Sequence, residues 1–485
     1  MNKSNHRVVA AAAGLWALLA AGAAQAESAQ AESVLPAELL ERAAALRDEA
    51  RADNRAYEWV RSLTQEVGPR LAGSEGDRAA IGWALTTLND LGFEAVRAED
   101  ITVPWWERGE TRLRMISPLN LELVAETLGG SVGTPRQGLE APVLRVRDVA
   151  ALRALSPADV TGNIVFFSQR MRRTRDVEGY IEAVGNRVNG PAEAAAMGAV
   201  GVVIRSVSTA DHRLAHTGTT RYRDRGRRIP AFALSNPDAD LLEHHLDAGQ
   251  PVSLHLYSSA RRLGTTRTAN VIGDIPGTDL AEEIIVLGAH LDSWDLSPGA
   301  LDDASGVGIV LETARLLAAA GPPRRTLRVV LFGNEEFGLD GAHDYARRHE
   351  DALERHVAAM EADLGADRVW RFDTRVIEDQ LPVVDAIMDV LEPLQVERGH
   401  NDAYGGPDLG PMRERGVPII SLQQDATRYF DYHHSPSDTL DKVDRSQLNQ
   451  VVAAWVATVW VLANTDEALA PVVTGAEAGG EDGDG

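Results

Sequence analysis

Residues 284–305 read IIVLGAHLDSWDLSPGALDDAS, an apolar run followed by a cluster of metal-binding residue types. The run from Ile284 to Leu287 is rich in β-branched residues and predicts a buried strand that delivers His290 to its end. Apolar residues recur at helical spacing after Asp303, so Asp302 and Asp303 are predicted to lie at a helix entrance. Ligands of α/β proteins usually bind where strand ends face helix starts. This stretch therefore predicts half of a metal site.

The rest of the chain predicts an α/β fold with a doubly wound, mostly parallel central sheet, because strand and helix patterns alternate after Arg267. A separate series of short strand patterns between residues 119 and 262 predicts an inserted α/β or β-rich domain. The predicted organisation is a signal peptide at 1–26, the first part of the main domain at 27–118, the insertion at 119–262, the remainder with the metal site at 263–470, and an acidic disordered tail at 471–485.

Composition excludes several classes of partner. The 485-residue chain has a formal net charge of −24, which makes nucleic acid and anionic membranes unsuitable partners. Its N-terminus carries Lys3 and Arg7, then an Ala-rich apolar stretch and Ala24-Gln25-Ala26, as a cleaved secretory signal does. The competing interpretation is a membrane anchor, but the apolar stretch is shorter than the ~20 residues that a span needs. We therefore expect a periplasmic or secreted protein without an integral membrane segment.

Five groups of metal-binding residue types follow predicted strands. Each group has a structural explanation when taken alone, such as a helix cap, a solvated pair or a hydrogen-bonded loop residue. Their joint presence favours a metal site, and the absence of cysteine leaves His, Asp and Glu as its ligands. The groups are His290 with Asp292, Asp302 with Asp303, Glu335 with Glu336, Asp363, and His433 with His434.

The charges and spacings predict roles for some of these residues. Two zinc ions carry four positive charges, which three carboxylates and a bridging hydroxide would neutralise, and one carboxylate must bridge the ions. Asp302, on a tight loop between strand and helix, is placed to do so. Asp292 is suited to accept the imidazole N–H of His290. Adjacent Glu335 and Glu336 point in different directions, so one can bind metal while the other acts as general base.

Five motifs resemble the di-zinc aminopeptidase family, and in particular its carboxypeptidase Q (plasma glutamate carboxypeptidase) branch. The insertion also resembles the protease-associated domain of that branch, through GAVGVVIRS at 198–206 and HTGTTRY at 216–222. The motifs are HLDSWD at 290–295, GALDD at 299–303, NEEFG at 334–338, EADLG at 361–365 and HHSPSDT at 433–439.

The resemblance implies a complete site. His290 and Asp363 would bind one zinc, Glu336 and His434 the other, and Asp302 both. It further implies Glu335 as general base, Asp292 as the partner of His290, a cis peptide bond after Asp302, and a homodimer.

The activity implied is hydrolysis of dipeptides or short peptides. Cobalt or manganese could replace zinc on such ligands. His433 matches a substrate-facing position, and Tyr404, Asp408 and Arg413 are predicted to line the substrate pocket.

Other functions remain open at this level. The protein could be an aminopeptidase acting on longer peptides, or a non-catalytic binding protein on a peptidase scaffold. Aminoacylase-like metallopeptidases share the ligand order, but their extra domain lies between later ligands, whereas here the insertion precedes His290. Glutaminyl cyclases share the fold with a single zinc, so a metal count distinguishes them.

Overall fold

The computed structural model describes residues 35–223, 226–467 and 469–472. The predicted signal peptide and nearly all of the predicted acidic tail lie outside these residues. The α-helices of the described part are α1 Ala37–Ala52, α2 Ala56–Ser62, α3 Glu75–Asp90, α4 Val149–Arg153, α5 Pro157–Val160, α6 Glu178–Val188, α7 Gly190–Ala196, α8 Asn236–Asp247, α9 Ser305–Ala320, α10 Glu335–Gly338, α11 Asp340–Arg348, α12 Leu381–Leu391, α13 Gly410–Arg413 and α14 Arg445–Asn464.

The strands fall into two sheets. They are β1 Glu94–Glu107, β2 Thr111–Ser117, β3 Leu121–Leu123, β4 Ala125–Thr127, β5 Leu139–Val146, β6 Ile164–Phe167, β7 Gly201–Arg205, β8 Ala231–Leu234, β9 Ser253–Ser258, β10 Arg261–Ile275, β11 Leu280–His290, β12 Arg325–Phe332, β13 His356–Glu361, β14 Val369–Arg375, β15 Glu397–Arg398 and β16 Ile419–Gln424.

The first sheet has the strand order β1-β10-β12-β11-β13-β16-β14-β15. Its four central strands β12, β11, β13 and β16 run parallel, whereas β10 and β14 pair antiparallel with them on either side. The predicted α/β class is confirmed, and the sheet is mixed with a parallel centre. From Ile284 to His290 every residue of β11 is buried, as the apolar run predicts for a central strand.

The second sheet has the order β3-β2-β9-β5-β6-β7-β8-β4 and lies in sequence between β1 and β10. Those two strands are themselves neighbours, paired antiparallel from Glu94 with Asp274 to Glu107 with Arg261. The chain thus leaves the first sheet after β1 and returns to it beside the same strand. The second sheet begins at Thr111, before the predicted start of the insertion at 119, and the described chain forms one compact unit. The domain boundaries stay a prediction.

The last helix, α14, is the only helix of the described residues that is long and apolar enough to cross a membrane. Its most apolar window is 78% buried inside the fold, where the helix packs against α1 and α9. Trp455 at its centre is 1% exposed. An apolar helix that is covered on most sides by its own protein is a core helix.

The start of α9 packs tightly beneath the predicted metal loop. A Cβ atom added to Gly306 would lie 2.0 Å from the carbonyl oxygen of Ala362 and 2.3 Å from the Asp303 carboxylate. The backbone N–H of Gly306 also donates to Asp303 Oδ1 over 2.9 Å. Only glycine allows this close approach of helix, loop and strand end.

We therefore expect Gly306→Ala to lower the free energy of unfolding by about 2–3 kcal/mol, because the new methyl group must displace backbone atoms. Gly82→Ala, at an exposed position of α3, is the matched control, because an added Cβ there meets no atom within 4 Å. That change should be neutral or raise stability by up to ~1 kcal/mol. Chemical denaturation of both variants and the parent measures the difference, and equal stability of Gly306→Ala and parent would contradict the packing described.

Candidate metal centre

Parallel pairing brings the predicted ligands to one edge of the first sheet. His290 is the last residue of β11 and lies opposite Phe332, the last residue of β12. Glu335 and Glu336 follow β12 in the short helix α10, and Asp363 follows β13, whose Glu361 lies opposite Gly288 of β11. Because the carboxyl ends of parallel strands meet at one edge, these side chains converge there.

The first group of ligand atoms comprises His290, Asp302 and Asp363. His290 Nε2 lies 3.1 Å from Asp302 Oδ1 and 3.5 Å from Asp363 Oδ1. The three ligand atoms all lie within 4.8 Å of one another, close enough to share one ion. His290 is fully buried, so its imidazole has no access to bulk water.

The second group lies on the other side of Asp302. His434 Nε2 is 3.2 Å from Asp302 Oδ2 and 2.8 Å from Glu336 Oε2. His433 stacks on His434 with a ring separation of 3.5 Å, and its Nε2 lies 3.8 Å from Asp302 Oδ2. Asp302 therefore presents one carboxylate oxygen to each group, which is the geometry a bridging ligand needs.

The donor set fits a pair of divalent cations. Asp302 Oδ2 is buried and makes no hydrogen bond within the described residues, although an imidazole nitrogen lies beside it. Nitrogen and carboxylate donors without thiolate are ligands that zinc accepts. An unsatisfied buried carboxylate oxygen that faces imidazole nitrogens is explained by a cation between them.

The carboxylates of this cluster repel one another when no cation lies between them. Burial raises the pKa of Glu335 well above its ordinary value, and the nearby carboxylates of Asp363 and Glu336 contribute to the rise. Burial and the charge of Asp302 raise the pKa of Glu336 to about 7. Burial likewise raises the pKa of Asp363. Bound cations relieve the repulsion that these shifts express.

The pKa shifts of Asp302 and His434 favour the charged forms of both side chains. Burial alone would raise the pKa of Asp302, but its close contacts with the imidazoles of His290 and His434 hold that pKa well below its ordinary value. Burial disfavours the charged form of His434, yet Glu336 and Asp302 raise its pKa to about 9. Positive charge between these carboxylates is thus favourable.

Residues that the sequence interpretation missed hold the bridging loop in place. The Asp438 carboxylate accepts the N–H groups of Leu301 and Asp302 over 2.7 and 3.1 Å. The fully buried guanidinium of Arg70 donates to the carbonyl oxygens of Leu291, Pro298 and Gly299. Asp438 belongs to the quoted motif HHSPSDT, which could have drawn attention to it, whereas Arg70 lies in an ordinary-looking loop far away in sequence.

The loop itself has the predicted cis peptide bond between Asp302 and Asp303. Asp303 Oδ2 accepts the backbone N–H of His290 over 3.1 Å, while its other oxygen accepts the N–H of Gly306. Asp303 thus ties the strand end to the helix start, and its carboxylate is occupied by backbone groups.

Asp292 orients two predicted site residues, but not in the way expected. Its main-chain carbonyl oxygen lies 3.1 Å from His290 Nδ1, nearer than its carboxylate, which is 3.8 Å away. The carboxylate instead accepts the backbone N–H of Glu335 over 3.1 Å. A Nδ1–H bond to the carbonyl oxygen leaves Nε2 of His290 bare for a metal ion.

The segment between β7 and β8 of the second sheet contacts His433 and His434. The backbone N–H of Thr217 donates to the carbonyl oxygen of His434 over 2.9 Å, and His434 Nδ1 lies 3.3 Å from the carbonyl oxygen of Thr217. His216 Nδ1 lies 2.6 Å from the carbonyl oxygen of His433. These contacts join residues more than two hundred positions apart, which local sequence patterns do not indicate.

The three predicted pocket residues of the loop after β15 have different environments. Tyr404 is 58% exposed, and the Arg413 guanidinium lies 4.3 Å from the centre of its ring. Asp408 is fully buried, and its backbone N–H donates to Glu361. The structure thus exposes Tyr404 at the surface, packs the half-buried Arg413 against it and encloses Asp408 inside the fold.

Comparisons with known proteins agree with this geometry. The sequence profile of peptidase family M28 matches residues 270–459, which contain all five predicted metal ligands. Carboxypeptidase Q of Mus musculus is 34% identical over 417 residues, covering 86% of this chain and 87% of that protein. The chain belongs to peptidase family M28. As an M28 peptidase it is a metallopeptidase, which confirms the resemblance to the di-zinc aminopeptidase family and its carboxypeptidase Q branch.

Solved structures show the same relationship. A peptidase M28 precursor from Shewanella amazonensis shares 43% sequence identity and superimposes with a TM-score of 0.88, over 90% of this M28 chain and 99% of that one. A zinc aminopeptidase from Bacillus subtilis superimposes with a TM-score of 0.62 at 22% identity, over 86% of this chain and 97% of that one. The second similarity confirms the fold.

We expect the purified chain to bind two divalent ions, and Asp302→Asn to bind one or none. An amide keeps the shape of the side chain but loses the charge with which the carboxylate joins two cations. Elemental analysis after dialysis measures the ions per chain. Asp351→Asn, at an exposed position, is the matched control and should keep both ions. Retention of two ions by Asp302→Asn would rule out the bridging role.

Proposed function

We propose that the chain is an exported zinc-dependent exopeptidase that hydrolyses dipeptides or short peptides. The observation that carries the proposal is the position of Asp302, with one carboxylate oxygen beside His290 and the other beside His434. A pair of ligand groups that share one carboxylate holds two cations close together, as two-metal hydrolases require. Membership of family M28 supports the exopeptidase class.

The residues would hold two zinc ions as follows. His290 and Asp363 would bind one ion, Glu336 and His434 the other, and Asp302 both. Zinc bound there supplies a Lewis acid for the scissile carbonyl and lowers the pKa of the attacking water. The similarity to the zinc aminopeptidase of Bacillus subtilis supports zinc as the metal. Cobalt and manganese suit the same ligands.

Glu335 would transfer a proton from the attacking water to the departing amide nitrogen. Its backbone is held by Asp292, and its carboxylate belongs to the same charged cluster as Glu336 and Asp363 without being assigned to a cation. A carboxylate oxygen of Glu335 takes a proton from the attacking water and delivers it to the departing amide nitrogen.

Two relatives support different substrate lengths. Carboxypeptidase Q is 34% identical, whereas the aminopeptidase YwaD of Bacillus subtilis is 24% identical over 84% of this chain. The higher identity favours the carboxypeptidase Q branch and dipeptides, with aminopeptidase action on longer peptides as the second candidate. Export to the periplasm or outside the cell is proposed from the sequence of residues 1–26.

Glu335→Gln should bind two zinc ions and lose nearly all hydrolysis, by a factor of about 10² to 10⁴, because an amide cannot accept the proton. Glu354→Gln, on the exposed surface, is the matched control and should hydrolyse peptides as the parent does. Metal analysis and steady-state kinetics are measured on the same preparations. Parental turnover by Glu335→Gln would remove it from the role of general base.

A panel of peptides tests the exopeptidase proposal. The parent enzyme with zinc should hydrolyse free dipeptides fastest, and chelation of the metal should abolish the hydrolysis. Tripeptides and longer peptides with free amino ends measure the aminopeptidase alternative under the same conditions. Faster release of N-terminal residues from pentapeptides than from dipeptides would favour the alternative.

A further inference from the structure

Arg108 is a buried arginine at the point where the chain leaves the first sheet. It directly follows β1 and is 6% exposed. Its Nη2 donates to Asp295 Oδ1 over 2.6 Å, and its Nε donates to the same carboxylate over 2.9 Å. Its Nη1 donates to the carbonyl oxygen of Thr127 in β4 and, over 2.9 Å, to Oγ1 of Thr217. One guanidinium therefore joins the loop after β11 to two parts of the second sheet region.

Two tryptophans hold the orientation of this guanidinium. Its carbon atom lies 5.1 Å from the ring centre of Trp106 and 5.5 Å from that of Trp294. The two indole rings meet edge-on at 6.5 Å. A guanidinium that packs against aromatic rings and pairs with a carboxylate keeps one orientation, because rotation would break several of these contacts at once. The hydrogen bond from Arg108 to Thr217 is thus held by the packing around it.

The hydroxyl group of Thr217 is occupied both as an acceptor and as a donor. Oγ1 accepts from Arg108 and donates to the carbonyl oxygen of Thr127 over 3.1 Å. Thr217 is 1% exposed, so bulk water does not compete for these bonds. The side chain of Thr217, and with it the adjoining backbone, is therefore fixed by two hydrogen bonds.

The backbone of Thr217 contacts the predicted metal ligand His434 twice. Its N–H donates to the carbonyl oxygen of His434 over 2.9 Å, and its own carbonyl oxygen lies 3.3 Å from His434 Nδ1. Arg187 Nη1 also lies 3.3 Å from Nδ1, but a guanidinium only donates, so the carbonyl oxygen is the acceptor for an Nδ1–H group. An Nδ1–H group bonded in this way leaves Nε2 bare on the side of Asp302 and Glu336.

The imidazole of His434 has a second neighbour that packs against Arg108. The ring centre of Trp294 lies 5.8 Å from that of His434, at an angle of 65° between the planes. Because Trp294 is 2% exposed and closely packed, it restricts the rotation of the imidazole. Arg108 thus contacts two residues, Thr217 and Trp294, that border the predicted ligand.

We propose that Arg108 is a positioning residue for the second metal position, the one formed by Glu336, His434 and the bridging Asp302. It acts through Thr217, whose carbonyl oxygen orients the imidazole of His434. The inference rests on the proposed two-metal function and extends it, because affinity for one of the two ions then depends on a hydrogen bond at the junction of the two sheets. Residues that orient a metal-binding imidazole typically change metal affinity by about 10- to 100-fold.

The competing role for Arg108 is stability alone, since it is a buried cation with a carboxylate partner. Arg205 is the comparison for that role. It ends β7 of the same sheet, is 2% exposed, and pairs with Asp240 over 2.8 Å and with Glu243, both in α8. Loss of an arginine that only stabilises the fold lowers stability without distinguishing the two metal positions. Loss of a positioning arginine weakens one position selectively.

Zinc titration of metal-depleted protein tests the inference. Parent, Arg108→Gln and Arg205→Gln are dialysed against buffers of fixed free zinc, and elemental analysis gives the ions bound per chain. The parent should bind two ions. Arg108→Gln should bind one ion as tightly as the parent and the other about 10- to 100-fold more weakly. Arg205→Gln, the matched control, should bind both ions as the parent does, although both variants should unfold at lower temperatures than the parent.

Two further variants separate this result from a folding defect. Arg108→Lys should recover part of the affinity, because it restores the charge beside Asp295 and Thr217. Thr217→Val keeps the backbone and the size of the side chain but removes the hydroxyl group, and it should weaken the same ion several-fold. If Arg108→Gln does not fold, Thr217→Val decides, and parental binding of both ions by that variant would overturn the inference.

A double-mutant cycle tests whether Arg108 acts through His434. His434→Ala should bind one zinc ion. Adding Arg108→Gln to it should leave the dissociation constant of that ion unchanged within about twofold, because the imidazole that Arg108 positions is gone. A fall in affinity for that ion as large as the fall seen for the weakened ion of Arg108→Gln alone would show that Arg108 acts elsewhere, which contradicts the proposal.

The same titration distinguishes failure of this inference from failure of the proposed function. Parental binding of both ions by Arg108→Gln, or equal weakening of both, would overturn the positioning role and leave the two-metal function intact. A parent that binds one ion at saturating zinc would overturn both together. The measurement needs no turnover, so it applies to a dipeptidase and to an aminopeptidase alike.

Discussion

The carboxylate of Asp302 lies between two imidazoles, with Oδ1 beside His290 and Oδ2 beside His434. Around it lie the buried carboxylate of Glu336 and the half-buried carboxylates of Glu335 and Asp363, which repel one another unless positive charge lies between them. Much of the surrounding architecture holds these like charges together. Divalent cations relieve the repulsion, so affinity for metal is a direct consequence of the packing.

Hydrogen bonds to backbone groups hold the predicted metal-binding residues in these positions. Asp438 binds the N–H groups of the Asp302 loop, and Arg70 binds carbonyl oxygens of the segment that leads to it. Thr217 of the second sheet region binds the backbone of His434. The second sheet region is therefore part of the candidate site, and the imidazole of His434 keeps its position only while that region is folded against the first sheet.

Much of the site could be predicted because its signals are local. The strand ends at His290 and before Glu335 and Asp363 follow from apolar runs that stop at polar residues. The proposed order of the ligands and the proposed bridging carboxylate follow from the motifs and the charges, and the structure brings those side chains together. The complete burial of Asp408 is a feature that its loop sequence does not indicate, and its predicted place in the substrate pocket stays a prediction. The sequence also does not indicate which part of Asp292 faces His290: its main-chain oxygen lies nearer to His290 Nδ1 than its carboxylate does.

The sequence by itself determined the α/β alternation, the strand termini and the chemical types of the ligands, because these depend on side-chain periodicity over a few residues. Only the tertiary structure decided that both oxygens of Asp302 face imidazoles and that Arg187 is buried beside His434 without a carboxylate partner among the described residues. Those features depend on contacts between segments far apart in the chain, such as Arg187 with His434 and Asp302 with Asp438. Local patterns encode which residues are available, while burial and packing decide which of them meet.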